Sequence, residues 1–109
     1  MDVFYALAEP RRRKIMELLA GKGELTATEI SSKFDVTAQA ISQHLGILLD
    51  AKLVLMNRQA QRRIYRINTA AISEIDEWIK RIERQWDGRL DRLDTVLKAE
   101  KNKNAKKLR

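Results

Sequence analysis

Gln39 and Gln43 lie four residues apart, with Ser42 between them. On a helix that spacing sets the two amides one turn apart on a single face. A glutamine amide sets an N–H donor beside a C=O acceptor, the pair that an adenine edge matches in the major groove of DNA. Further along stand Arg58, Arg62 and Arg63, whose planar guanidinium groups suit phosphate. The rest of the chain carries little other chemistry. It has no cysteine, a single histidine (His44) and no glycine-rich phosphate loop. Thiolate sites, and His-pair ligand sets within one chain, are therefore excluded while carboxylate sites stay open, and no nucleophile and base set of the usual kinds is visible, so the chain does not read as an enzyme.

The segment from Thr26 to Leu49 must position the amides. Thr26 followed by Glu29 is a capping-box start, and Ile30 and Phe34 give one short apolar face. A second helix is predicted to open after Thr37. Its Ile41, Leu45 and Leu48 recur at helical spacing, which leaves Gln39, Ala40 and Gln43 on the far side with Ser42 at the edge. A short packed helix followed by one that displays amides and hydroxyls is what a helix-turn-helix needs. Two ordinary core helices would share the pattern. His44 falls at the border between core and outer face, either half-buried with a structural hydrogen bond or in contact with DNA.

Leu53 to Arg58 and Arg62 to Asn68 are predicted strands, separated by Gln59, Ala60 and Gln61. Attached behind a recognition helix, such a hairpin is a wing whose arginines lie along phosphates or enter the minor groove. From Ala51 to Thr69 the charged residues are Lys52, Arg58, Arg62, Arg63 and Arg66, with no acid. An edge hairpin made soluble by its charges is the other reading, although such an edge would usually mix the signs.

Before this segment, Glu9 and Pro10 divide two helices, because proline suits a first helical turn and disfavours the helical conformation in the residue before it. Val3, Phe4 and Leu7 form the apolar face of the first, and Ile15, Leu18 and Leu19 that of the second, which Gly21 and Gly23 end. Arg11, Arg12, Arg13 and Lys14 occupy a first turn, where the helix dipole disfavours cations. A solvated or salt-bridged face is expected there, with phosphate contact as the alternative.

From Ala71 to about Leu97 the spacing predicts one long helix. Ile72, Ile75, Ile79, Ile82 and Trp86 alternate three and four apart, and Leu90, Leu93 and Leu97 continue after one extra step. At ~1.5 Å per residue it would be about 40 Å long, more than so small a domain can cover. The stripe therefore expects a partner, most simply a second copy of the chain. Phe4, Ile75, Ile79, Ile82, Trp86, Leu90 and Leu93 are the candidate interface residues. Residues 98–109 are rich in Lys and Asn and are expected to be a frayed or disordered tail.

The 109 residues make one domain, placed at 1–97, with 44% hydrophobic and 34% charged residues. No apolar run approaches the roughly 20 residues of a membrane span and no basic leader opens the chain, so a cytoplasmic location without membrane contact is expected. The net charge of +7 is misleading as evidence for a nucleic-acid partner, because +5 of it falls in residues 98–109. The local, acid-free run around the hairpin is the better signal.

In this order the segments resemble the ArsR/SmtB family of bacterial and archaeal winged-helix repressors, over roughly residues 3–97. Phe4-Tyr5-Ala6-Leu7-Ala8-Glu9-Pro10-Arg11-Arg12 is similar to the family's F-x-A-L-A-D-P-T-R opening. Ile41-Ser42-Gln43-His44-Leu45 with Leu48 matches its recognition helix, and Arg62-Arg63-Ile64-Tyr65-Arg66-Ile67-Asn68 its wing strand. The two tryptophans and the Leu-rich end of the long helix are most similar to a branch without metal ligands. Metal-sensing members carry E-L-C-V-C-D-L where this chain has Glu24-Leu25-Thr26-Ala27-Thr28-Glu29-Ile30, and a hydroxyl is not the soft anionic ligand such a site needs. The family's other metal site needs histidines on the terminal helix, which has none. Lys52 and Ala60 stand where glycines are usual, at a helix C-cap and at the wing tip.

The resemblance and the residues together imply a mainly α fold with a small β-hairpin, a winged helix-turn-helix with a long C-terminal dimerisation helix. The expected function is a homodimeric repressor that binds a pseudo-palindromic operator in double-stranded DNA, without metal or other cofactor. Thr37 is expected to cap the recognition helix and touch phosphate. Gln39, Ser42 and Gln43 are the base-reading candidates, with Ala40 beside them, and Arg58, Arg62 and Arg63 are the wing contacts. Two other readings fit parts of the chain: a protein-interaction scaffold built on the long helix, and a sequence-indifferent chromatin protein favoured by the basic tail. The operator, the regulated genes and any small-molecule effector are not written in the sequence.

Overall fold

A computed structural model describes residues 2–108, apart from the side chains of Leu90 and of residues 100–108. Eight elements follow in order: α1 (Val3–Leu7), α2 (Pro10–Lys22), β1 (Glu24–Thr26), α3 (Ala27–Ser31), α4 (Ala38–Asp50), β2 (Val54–Gln59), β3 (Arg62–Ile67) and α5 (Thr69–Leu108). The chain divides into two compact units, Met1–Ser73 and Glu74–Arg109.

In the first unit each helix start has a visible cause. Asp2 accepts from the Phe4 amide at the head of α1. The Glu9 carboxylate accepts from the amides of Arg11 (2.7 Å) and Arg12 (3.2 Å), and Pro10 supplies the first helical residue of α2. A carboxylate on those amides offsets the four cations of the first turn, because it sits at the positive end of the helix dipole. Gly21 lies inside α2, and the helix is closed by Gly23 alone, at φ 89°. The capping box of α3 is complete: Glu29 N–H donates to Thr26 Oγ1 (3.1 Å) and Thr26 N–H to Glu29 Oε1 (3.0 Å).

The sheet has three strands in the order β1-β3-β2, all antiparallel. The expected hairpin is β2 and β3, with Gln59 opposite Arg62, so the loop shortens to Ala60 and Gln61. The third strand is an addition to the sequence reading. Three residues are too short to show an alternation, and only Leu25, buried opposite Tyr65, marks the inner face. The core gathers Ile15 and Leu19 from α2, Ile30 from α3, Ile41, Leu45 and Leu48 from α4, and Leu53 and Val54 at the entry to β2. All eight are under 2% exposed, so both helices of the helix-turn-helix are anchored by their apolar stripes and turn their polar faces outward.

The second unit is the remainder of α5. Its backbone is helical through Leu108, beyond Leu97 where the apolar stripe ends. No glycine or proline interrupts residues 89–108, and Ala, Lys, Leu and Glu are good helix formers. The lysines at 80 and 98 each pair with an aspartate one turn earlier, Asp76 (2.8 Å) and Asp94 (3.4 Å). These exposed pairs support the helix slightly.

Candidate nucleic-acid interface

Thr37 opens α4 as expected, its Oγ1 accepting from the Ala40 amide at 3.1 Å. Gln39, Ser42 and Gln43 are exposed and Ala40 is half-buried. None of them is charged, so the outer face of α4 is one of amides and hydroxyls with no fixed ionic partner.

The register of the hairpin sorts the wing arginines. Arg58 lies directly opposite Arg63, and both share the sheet face of buried Val54 and Tyr65. Arg62 lies opposite Gln59 and projects from the other face. All three arginines are exposed. Arg63 joins Ser42 in lining a groove that also takes in Thr28, Ser31 and Ser32. A second groove runs between Thr26, Thr28 and Glu29 of the α3 start and Gln61, Arg62 and Arg63. Ser42 of α4 and Arg63 of the hairpin thus line one groove, whereas Gln39 and Gln43 line neither. Thr28, Ser31 and Ser32 escaped the sequence reading. Their signal was present as three hydroxyl residues on the side of α3 away from Ile30.

The positions of the family's thiolate ligands serve other ends. Thr26 is a helix cap and Thr28 lines both grooves. The hydrogen bonds from Thr26 hold the Glu29 carboxyl below the ordinary carboxylate range, helped by the charge of Arg62. Among the described residues no group of three or more His, Cys, Asp or Glu is arranged to hold a metal ion. No described helix is long and apolar enough to cross a membrane.

Arg12 departs from the solvated face expected of it, whereas Arg13 stays exposed while bonding backbone carbonyls. Arg12 is 7% exposed. Its Nε donates to the Ala6 carbonyl (2.6 Å) and its Nη2 to that of Tyr5 (3.4 Å), and the guanidinium lies 5.6 Å from the Tyr5 ring centre. Arg13 donates to the carbonyls of Leu7 (2.6 Å) and Ala8 (3.2 Å). The two arginines close the carbonyl end of α1, where a helix dipole favours cations. Arg12 Nη1 reaches the ring of His44 on α4, 3.2 Å from Nδ1.

A family profile described as a helix-turn-helix domain matches residues 7–57. The transcriptional repressor SdpR of Bacillus subtilis is 37% identical over 78 residues, which are 72% of this chain and 86% of SdpR. The chain belongs to the ArsR family of transcriptional regulators. Among solved structures, an ArsR-like regulator from Rhodococcus sp. RHA1 superposes with a TM-score of 0.75 at 29% identity, covering 86% of this chain and 88% of that one. The homodimeric winged helix-turn-helix DNA-binding domain of a Mycobacterium bovis protein matches at a TM-score of 0.61 and 28% identity, covering 75% of each chain. As an ArsR-family member the chain is a DNA-binding transcriptional regulator, and α4 is the second helix of its helix-turn-helix.

The remaining candidates fall on α1 and α5. Ile79, Ile82, Trp86 and Leu93 are 42–59% exposed, and Phe4 is 43% exposed. Ile75 is half-buried. The Leu90 side chain lies outside the described residues.

Proposed function

We propose that this ArsR-family regulator is a homodimeric repressor that reads a pseudo-palindromic operator without a metal effector. The observation that carries the reading is the exposed, uncharged face of α4, with Gln39 and Gln43 one turn apart, beside a wing strand whose arginines have no acid on the hairpin to neutralise them. The amides read bases, Thr37 touches phosphate, and Arg58, Arg62 and Arg63 follow the backbone. The dimer is supported by the exposed apolar stripe of α5 and by the homodimeric relative. Repression is supported by the likeness to SdpR. Metal independence is supported by the chemistry of Thr26 and Thr28, neutral hydroxyls engaged in capping and groove lining.

Selection of bound sites from random DNA tests the reading. Enrichment should yield two half-sites with centres about 34 Å apart, one helical turn. Zinc or a chelator should leave affinity for the selected site unchanged. Equal retention of all sequences would instead make this a sequence-indifferent DNA-binding protein. No retention at low salt would leave α5 as the scaffold of a protein-interaction module.

A further inference from the structure

An arginine side chain has donors and no acceptor. The 3.2 Å contact between Arg12 Nη1 and His44 Nδ1 is therefore a hydrogen bond only when Nδ1 carries the lone pair, with the ring neutral and its proton on Nε2. Among the described residues no buried side-chain nitrogen or oxygen lacks a hydrogen-bond partner. The His44 ring hydrogen-bonds through Nδ1 and its Nε2 is not fully buried; the Glu9 carboxylate is near enough to the ring to interact with it electrostatically. The ring belongs to the recognition helix, one turn beyond Ala40 and next to Gln43.

We propose that Arg12 is a positioning residue for DNA recognition: by donating to Nδ1 it confines His44 to the Nε2–H tautomer and turns that N–H outward as a donor to a phosphate of the DNA backbone. The inference rests on the DNA-binding reading above. Arg12 is itself fixed, because Nε and Nη2 are spent on the last carbonyls of α1 and the Tyr5 ring lies beside the guanidinium. Its charge behind a neutral imidazole polarises the outward N–H toward an anion. The link also ties α1 to the orientation of α4, since the same guanidinium holds both.

With one histidine in the chain, the nitrogen shifts of the ring in the free, full-length protein report the tautomer without ambiguity. At mildly alkaline pH the wild type should show the Nε2–H form alone, and Arg12→Leu should show both forms. A wild-type ring protonated at Nδ1, or an even mixture, would overturn the tautomer lock whether or not the protein binds DNA. His44→Phe, which leaves the bonds of Arg12 to α1 in place, should weaken binding to selected and random DNA alike by about tenfold, the scale of one charge-assisted hydrogen bond. Arg12→Leu should cost a similar factor in wild type and none in the His44→Phe background. An equal loss in both backgrounds would show that Arg12 only caps α1, and would sink the proposal. If Arg12→Leu does not fold, Arg12→Lys replaces it. Lysine lacks the planar fork that serves the Ala6 carbonyl and Nδ1 from separate nitrogens, so the mixed tautomer and the same non-additivity are expected. Wild-type protein that binds no DNA overturns the phosphate contact and the proposed function together, leaving the tautomer result to stand alone.

Discussion

Arg58 and Arg63 face each other across the wing as a directly opposed cross-strand pair, both exposed and on the same side of the sheet. Like charges at that spacing destabilise a hairpin in isolation. An anion between or beside them removes the penalty, so the arrangement favours a phosphate-bearing partner over free protein.

Replacing Arg58 or Arg63 by Ala should weaken binding to operator and random DNA together and lower the salt slope by about one unit. The free protein should lose no stability, and should gain up to ~0.5 kcal/mol as repulsion is relieved. A salt series beside a urea titration reads both effects. A variant that changes base preference would make these arginines readers of sequence.

Gln39→Ala or Gln43→Ala should cost about 1–3 kcal/mol on the selected operator and relax one or two positions in each half-site. Affinity for random DNA should hardly move, since neither residue joins the grooves beside the wing. An equal loss on both DNAs would remove α4 from base reading.

Ile79→Asp with Ile82→Asp should give monomers in sedimentation, because two carboxylates would enter an apolar seam. Persistence of a tight dimer would move the interface off this stripe.

Lys52 and Ala60 adopt φ of 60° and 56°, left-handed values that cost an L-residue roughly 1–2 kcal/mol. Ala60 is the first residue of a two-residue hairpin loop, where glycine is preferred when it alone has positive φ. Ala60→Gly should raise stability by about 0.5–1 kcal/mol after the added chain entropy of glycine is deducted, and Lys52→Gly similarly. Thermal unfolding checks this, and a fall in midpoint would mean that these side chains make contacts worth more than the strain.

Burial tends to raise the Glu9 carboxyl, but the amide bonds from Arg12 and Arg11 outweigh it and hold the group below its ordinary value. Glu29 is lowered as well, chiefly by Thr26. A depressed carboxylate stabilises the fold above its unfolded value, and that contribution disappears as pH falls through the folded value. Unfolding in acid should therefore begin below the normal carboxylate range. Glu29→Gln should lower stability near neutrality, change it little in acid where the carboxyl is protonated anyway, and so flatten the acid limb; an unchanged limb would place the sensitivity elsewhere.

Helices were legible wherever an apolar stripe coincided with a cap: Thr26 with Glu29, Thr37 with Ile41, Pro10 with Ile15. The hairpin was legible from its β-branched and aromatic runs. The glycine positions that Lys52 and Ala60 replace in the family turned out to need left-handed backbone after all. Hidden from the sequence were tertiary choices. A cation in a first turn reads as solvated, and nothing local to Arg12 announces Ala6 or a ring 32 positions away. The grouping of Thr28, Ser31 and Ser32 with Arg63 likewise depends on how α3 packs beside β3.

Thr26 is the last residue of β1, paired with Ile64 of the wing, and also the cap of α3. No spacer separates the two duties. An insertion or deletion between Glu24 and Glu29 would slip a strand register and empty a cap in one event, so length variation should be purged from that segment. The loop at Ala60 and Gln61 bears neither duty, and is where a lineage can lengthen the wing and change its reach over DNA without disturbing the helices.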